Sequence, residues 1–143
     1  MSYDIDFKKC KEQGKIKDLD IAKTWVQKEI IVAQNFLKSA QFNFKSKHYD
    51  MTIIAGYLVI FHLNRALIYN MGKIIKNHIC AILAVKELYK DNVEIIELLS
   101  GIDNALISRN QIQYDGYNAD KEMADFILCL GKDYLAIVKK LVD

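Results

Sequence analysis

Apolar side chains recur every three or four residues over most of the chain, the spacing of one face of an α-helix. The first long run of this kind extends from a cap at Asp18 or Asp20 to about Lys45. Its apolar positions are Ala22, Val26, Ile30, Ala33, Leu37, Ala40 and Phe44. The first dozen residues predict a short preceding helix that ends near Gly14.

Four further helices follow this one, joined by short polar connections. The segment from about Tyr49 to Met71 is apolar nearly all round, which predicts a central helix packed on several faces. The next helix spans about Asn77 to Tyr89. A fourth is capped by Asp91 or Asn92 and continues towards Ile112, with a break or kink expected at Ser100-Gly101, and the fifth spans about Asp120 to Val142.

These elements predict an all-α fold, an antiparallel up-and-down bundle of about five helices. The chain has 143 residues, which suits a single domain over 1–143, and it has no proline and only six glycines. Its formal charge of +2 is too small to indicate nucleic-acid binding by itself. The local excess of lysine between Lys8 and Lys47 is interpreted as a solvated surface.

The three cysteines, Cys10, Cys80 and Cys129, are odd in number and widely spaced, so neither a disulfide framework nor a metal site is expected. Cys80 and Cys129 lie in apolar runs, which predicts small core residues in a reducing compartment. The charged N-terminus lacks the apolar stretch of a signal peptide, and no apolar run approaches the ~20 residues that span a bilayer. We therefore expect a cytoplasmic protein that does not contact a membrane.

His62, Arg65 and Tyr69 share one face of the central helix, where the neighbouring positions are apolar. Such polar groups need partners when they are buried. They form either an internal network that ties the bundle together or one wall of a polar cleft, and periodicity favours the internal network. His78 begins the third helix, and a solvent-facing histidine is the ordinary interpretation there.

Arg109 is one of only two arginines, beside eighteen lysines, and both lie inside predicted helices. A guanidinium presents a planar fork of donors suited to phosphate or carboxylate. Asn110 and Tyr114 are four residues apart on one face, next to Arg109, so all three could border one groove. The alternative is an Arg–carboxylate pair with a packed tyrosine. Sequence motifs for zinc, phosphate loops and activated nucleophiles are absent, and no metal or cofactor is expected.

Nearly the whole chain resembles the HEPN (higher eukaryotes and prokaryotes nucleotide-binding) family, in its small stand-alone prokaryotic branch. The resemblance lies in "FKKCKEQGKI", in "FLKSAQFNFKSKHYDMTIIAGYLVIFHLNRALIYNMG", in "NHIC" and in "ISRNQIQYDG". It implies a helical bundle that commonly dimerises, with a cleft along the helix that bears an arginine motif. Many members are ribonucleases with arginine, four to six residues and then histidine, and others are partners of nucleotidyltransferases in toxin–antitoxin pairs.

Carried over by position, Arg109 and Asn110 match the start of this motif, but Tyr114 stands where the nearest-spaced histidine would be. No histidine follows Arg109 in the chain. Histidine titrates near 6.5 and tyrosine near 10, so forming a tyrosinate at pH 7 costs about 4 kcal/mol. Phosphate binding by Arg109 therefore survives this substitution better than catalysis does.

The leading hypothesis is a HEPN-like module that binds a nucleotide, RNA or another phosphate-bearing ligand beside a nucleotidyltransferase partner. Arg109, Asn110 and Tyr114 would contact the ligand, with a second wall formed by Arg65, His62 and His78. The alternative is a metal-independent endoribonuclease toxin with Arg109 and Tyr114 as its catalytic candidates. Two further possibilities are nucleotidylation of Tyr114 or Tyr117 by the partner and a purely structural homodimerisation module.

Overall fold

The computed structural model describes residues 3–143, so the first two residues of the predicted N-terminal helix lie outside it. The chain forms α1 (Phe7–Glu12), β1 (Ile16–Asp18), a 3₁₀ helix (Asp20–Trp25), α2 (Val26–Lys45), α3 (Tyr49–Asn70), β2 (Lys73–Ile75), α4 (His78–Leu88), α5 (Val93–Gln113) and α6 (Lys121–Val142). The expected all-α helical bundle is confirmed.

Side-chain caps set the beginnings of four helices. Asp6, Asn77, Asn92 and Asp120 each accept a hydrogen bond from the backbone N–H three residues on. Each cap satisfies one of the donors that have no partner within the helix. Asn92, one of the two predicted candidates, is therefore the cap of α5. After α3, Gly72 adopts a φ of +70°, a conformation that favours glycine and turns the chain into β2.

Helix α3 is the core of the bundle and packs mainly against α2 and α6. By length and composition it could cross a membrane, which corrects the expectation that no segment approaches that length. However, 67% of its most apolar window is buried within the protein, so α3 is the central helix of the bundle. Gly56 permits the close approach of α6, because a Cβ there would lie 2.6 Å from Ile127 Cγ2.

One local element was not predicted, and two local predictions were wrong. Ile16–Asp18 pairs antiparallel with Lys73–Ile75, a small sheet that three-residue segments are too short to reveal by periodicity. A 3₁₀ helix replaces the expected start of the first long helix, which begins at Val26. The expected break at Ser100-Gly101 is absent, because α5 is continuous and Gly101 lies close to Leu130 of α6.

The cysteines also differ from expectation. Cys10 and Cys80 are both fully buried and form a disulfide between α1 and the first turn of α4. Their Cα atoms are 5.8 Å apart although 70 residues separate them, which the spacing of the cysteines in the sequence could not indicate. Cys129, predicted to be a core residue, is a free and exposed cysteine on α6.

Candidate functional site

The two arginines of the chain lie in different surroundings. The first belongs to what we call the Glu29 cluster, consisting of Glu29, His62 and Arg65. Glu29 is 5% exposed, and its two carboxylate oxygens contact different partners. His62 Nδ1 donates to Oε2 at 2.6 Å, and Arg65 Nη2 lies 3.2 Å from Oε1.

Aromatic rings enclose the Glu29 cluster. Phe36 stacks on the His62 ring with centroids 5.5 Å apart. The Arg65 guanidinium also donates to the Tyr69 hydroxyl, with Nε at 3.1 Å, and lies over the Tyr69 ring. A buried carboxylate with two partners of this kind links α2 to α3, as an internal polar network does. This arrangement favours the internal-network interpretation of His62 and Arg65.

The second arginine borders a hollow between α4 and α5 that we call the Arg109 pocket. Its lining residues are Asn77, His78, Ile79, Leu106, Arg109 and Asn110, and its volume is about 320 Å³. Three of the residues predicted from sequence to contact a ligand, namely His78, Arg109 and Asn110, therefore meet at one place. His62 and Arg65 do not line this pocket.

Aromatic rings position the Arg109 guanidinium without neutralising it. Its Cζ lies 4.7 Å from the centre of the buried Tyr57 ring and 5.5 Å from that of Tyr114. Its Nη1 donates to Gln113 Oε1 at 3.3 Å, and the buried Nε has no hydrogen-bond partner within residues 3–143. No ion pair of Arg109 occurs within that same part of the chain. No carboxylate among the described residues therefore occupies the guanidinium, and its remaining Nη donors can meet a ligand.

His78 faces Arg109 from the first turn of α4. Its Nδ1 lies 2.7 Å from the Tyr57 hydroxyl, and its ring is 4.2 Å from that of Phe61. Burial, followed by the charges of Arg109 and His62, lowers the pKa of His78 from 6.5 to about 4, so the ring is neutral at pH 7.

Burial also raises the pKa of the Tyr57 hydroxyl above its ordinary value, with Arg109 opposing this shift, and the hydroxyl therefore stays protonated. The Tyr57 hydroxyl can accordingly donate to His78 Nδ1. In that arrangement the single ring proton of the neutral His78 lies on Nε2.

The beginning of α4 contributes two further donors. Asn77 Oδ1 accepts from Cys80 N–H at 2.7 Å, and the Asn77 carbonyl accepts from Ala81 N–H at 3.0 Å. The N–H groups of His78 and Ile79 belong to the first turn and have no acceptor within the helix. They lie at the positive end of the helix dipole, which favours an anion in the pocket.

Tyr57 and Asn77 have roles in this site that were not predicted from the sequence. Tyr57 lies in the apolar run of α3, where nothing distinguishes it from a core aromatic residue. Asn77 could have been recognised as a cap, since an asparagine before an apolar helix is a known start signal. Tyr114 is 67% exposed and contacts Arg109 from outside the pocket.

A larger hollow of about 620 Å³ lies between α5 and α6. Among the described residues its lining has four carboxylates, from Glu97, Glu122, Asp125 and Asp133, and no lysine or arginine. Such a surface repels phosphate, so size alone does not identify the anion site. Residues 3–143 contain no cluster of three or more His, Cys, Asp or Glu side chains suited to a metal ion.

The match to a known family agrees with the helical bundle. The model of the HEPN domain matches residues 23–141, which is most of the chain, and the protein therefore belongs to the HEPN family. Membership indicates a role related to nucleotides or RNA in general terms. A comparison with curated proteins found no match.

Proposed function

We propose that the Arg109 pocket binds a phosphate group of a nucleotide or of RNA. The observation that carries this proposal is the half-buried Arg109 guanidinium, which has no carboxylate partner in the described residues and faces the beginning of α4. The fork of the guanidinium and the N–H groups of His78 and Ile79 offer donors from two sides of the pocket.

The remaining residues suit the other parts of such a ligand. Asn110 lines the pocket and carries both a donor and an acceptor for a sugar or base. The exposed ring of Tyr114, held beside Arg109, provides a surface on which a base can stack. His78 Nε2–H can donate to a phosphate oxygen.

Titration of the purified protein with 5′-AMP tests this proposal. Arg109→Ala should weaken binding about tenfold or more, since a hydrogen bond to a charged group contributes about 1.5–3 kcal/mol. Arg109→Lys should recover only part of the affinity, because the ammonium lacks the planar fork. Lys86→Ala removes one exposed charge from the last turn of α4, at the end of the helix away from the pocket, and should leave affinity unchanged. Equal affinities for wild type and Arg109→Ala would refute the proposal.

A metal-independent endoribonuclease is a second candidate, because the structure brings His78 into the pocket of Arg109. Cleavage by attack of the 2′-hydroxyl requires groups that accept and donate protons near neutral pH. With a pKa of about 4, His78 is a weak base and is protonated in roughly one molecule in a thousand at pH 7. This favours binding over rapid cleavage.

Incubation with RNA in EDTA distinguishes the two candidates. The binding module should leave RNA intact. Cleavage that disappears in both Arg109→Ala and His78→Gln would establish the ribonuclease. Cleavage that persists in both variants would indicate a contaminating nuclease and leave the binding assignment to the titration.

We also propose a homodimer that acts with a nucleotidyltransferase in a toxin–antitoxin-like pair. Tyr114 and Tyr117 support this proposal because they are 67% and 58% exposed, so a partner enzyme can reach their hydroxyls. Attack of a tyrosine hydroxyl on the α-phosphate of a nucleoside triphosphate would form a phosphodiester and release pyrophosphate. The added phosphate and bulk would obstruct the Arg109 pocket.

Mass spectrometry after co-expression with a nucleotidyltransferase encoded beside this protein tests the modification. We expect the mass of one nucleotidyl group on the wild-type chain and its loss in a Tyr114→Phe, Tyr117→Phe variant. An unmodified wild-type chain would contradict the proposal. Sedimentation velocity should give twice the mass of the chain for the homodimer.

A further inference from the structure

A second hollow lies at the end of α5, immediately beyond the Arg109 pocket. We call it the Tyr117 hollow. It has a volume of about 580 Å³, and its lining includes Lys47, Tyr49, Asp50, Ile112, Gln113 and Tyr117. It contains none of the residues that line the Arg109 pocket.

The two hollows follow one another along α5, the first bounded by the beginning of α4 and the second by the beginning of α3. On α5, Gln113 lies one helical turn after Arg109, about 6 Å along the axis, and accepts a hydrogen bond from it. On α3, Ile54 of the Tyr117 hollow lies one turn before Tyr57, on which Arg109 stacks. A ligand that contacts Arg109 and reaches past Gln113 would therefore meet the Tyr117 hollow.

The chemistry of the Tyr117 hollow differs from that of the Arg109 pocket. Lys47 and Asp50 bring opposite charges to its wall, so it has no net attraction for phosphate. Tyr117 and Tyr49 offer aromatic surface. A lysine, a carboxylate and the amides of Gln113 and Asn118 can meet the polar edge of a planar ring. Aromatic stacking combined with edge hydrogen bonds is the pattern that recognises an unpaired nucleobase.

The walls of the Tyr117 hollow are held in place. Tyr117 N–H donates to the Gln111 carbonyl at 3.0 Å, which fixes the turn after α5 although the Tyr117 side chain is 58% exposed. On the other side, His48 N–H donates to the Asn43 carbonyl at 2.8 Å, and Tyr49 packs against Phe44 with ring centroids 5.8 Å apart. An exposed ring on a fixed turn can stack with little loss of conformational entropy on binding.

We infer that the Tyr117 hollow is a nucleobase site, and that the ligand of this protein is a single-stranded oligonucleotide with one phosphate at Arg109 and a neighbouring base against Tyr117. This inference rests on the proposed phosphate site and specifies its ligand class. A mononucleotide occupies only the Arg109 pocket.

The experiment compares 2′-O-methyl tri-adenylate with versions in which the base at either end is replaced by an abasic residue. The 2′-O-methyl groups prevent cleavage, and the abasic versions keep the full backbone charge. For the wild type, one of the two terminal abasic substitutions should weaken binding between about fivefold and a hundredfold, the range for one stacked base. In Tyr117→Ala, intact and abasic ligands should bind equally.

Two matched controls accompany this measurement. Tyr117→Phe keeps the ring and should retain the preference for the intact ligand. Phe42→Ala removes a 70% exposed aromatic ring elsewhere on the surface, and this variant should also retain the preference for the intact ligand. Thermal unfolding of each variant checks that the exposed substitutions leave the fold intact.

Failure of this inference differs from failure of the phosphate site. If Arg109→Ala weakens 5′-AMP binding but neither abasic position matters in the wild type, the base site is refuted and the phosphate site stands. Equal weakening of 5′-AMP and tri-adenylate by Tyr117→Ala would also refute a separate base site. If Arg109→Ala changes no affinity, both assignments fail together.

Discussion

The Glu29 cluster and the Arg109 pocket contain the same two kinds of basic side chain in different settings. Each has one arginine and one histidine beside aromatic rings. In the first, a carboxylate that is 5% exposed contacts both side chains. In the second, Arg109 stacks on Tyr57 and has no carboxylate partner among the described residues.

This difference shows that the role of an arginine side chain in a helical bundle depends more on its partner than on its position along the helix. A buried carboxylate uses the donors of Arg65 within the protein, so this guanidinium links helices. Tyr57 and Gln113 leave most donors of Arg109 free, and the positive end of α4 adds to the attraction for anions. Four changes would break or sharpen this comparison.

The largest effect is expected from Glu29→Gln. This change keeps the size of the side chain but leaves Arg65 and His62 without their carboxylate, and breaking a buried pair costs about 3–5 kcal/mol. Because Arg65 is 31% exposed, we expect the lower end, about 3 kcal/mol, in urea unfolding. Arg109→Ala should change stability by about 1 kcal/mol or less, since Arg109 forms no ion pair within residues 3–143. Similar losses from both variants would abolish the distinction between the two regions.

Asn110→Asp should give Arg109 a carboxylate partner, as Glu29 is for Arg65 in the Glu29 cluster. The substitution is nearly isosteric and places a carboxylate beside Arg109 at the wall of the pocket. Competition for the guanidinium and repulsion of phosphate should weaken 5′-AMP binding about tenfold, measured by calorimetry. Asn35→Asp adds the same charge at an exposed position of α2, outside both hollows, and serves as the matched control. Unchanged affinity in Asn110→Asp would argue that phosphate binds elsewhere.

The pH dependence of binding should report on His78. The pKa of His78 is about 4 in the free protein. A bound phosphate favours the charged ring and therefore raises this pKa. The complex therefore binds more protons, so affinity for 2′-O-methyl tri-adenylate should rise severalfold as pH falls from 7 and level off near pH 4. This phosphodiester ligand avoids titration of a terminal phosphate. His78→Gln should flatten the profile, and an unchanged profile would exclude His78 from the contact.

The smallest effect concerns salt. One or two phosphate contacts on a single strand should give a slope of about −0.7 to −1.4 for log affinity against log salt concentration. The stability difference between wild type and Glu29→Gln should vary little over the same range, because a buried pair is weakly screened. A steep salt dependence of that difference would show that the Glu29 cluster is open to solvent.

The helices of this protein are largely encoded in local sequence. Helical spacing predicted α3 and α6 to within a few residues, and single polar residues such as Asn92 and Asp120 mark where helices begin. Periodicity and capping act over three or four residues, so they can be recognised without knowledge of the fold. The three-residue strands and the 3₁₀ helix are too short to produce such a signal.

The roles of the two arginines depended on contacts between distant segments. Glu29 and His62 are 33 residues apart in the sequence, and His78 and Arg109 are 31 residues apart. Each pair therefore comes together only when the helices have packed into the bundle. The sequence alone determined that Arg65 and Arg109 lie on helices and need polar partners. Only the tertiary structure decided that Arg65 meets a buried carboxylate and Arg109 an open hollow, because side-chain electrostatics depend on distances that exist only after the helices have packed.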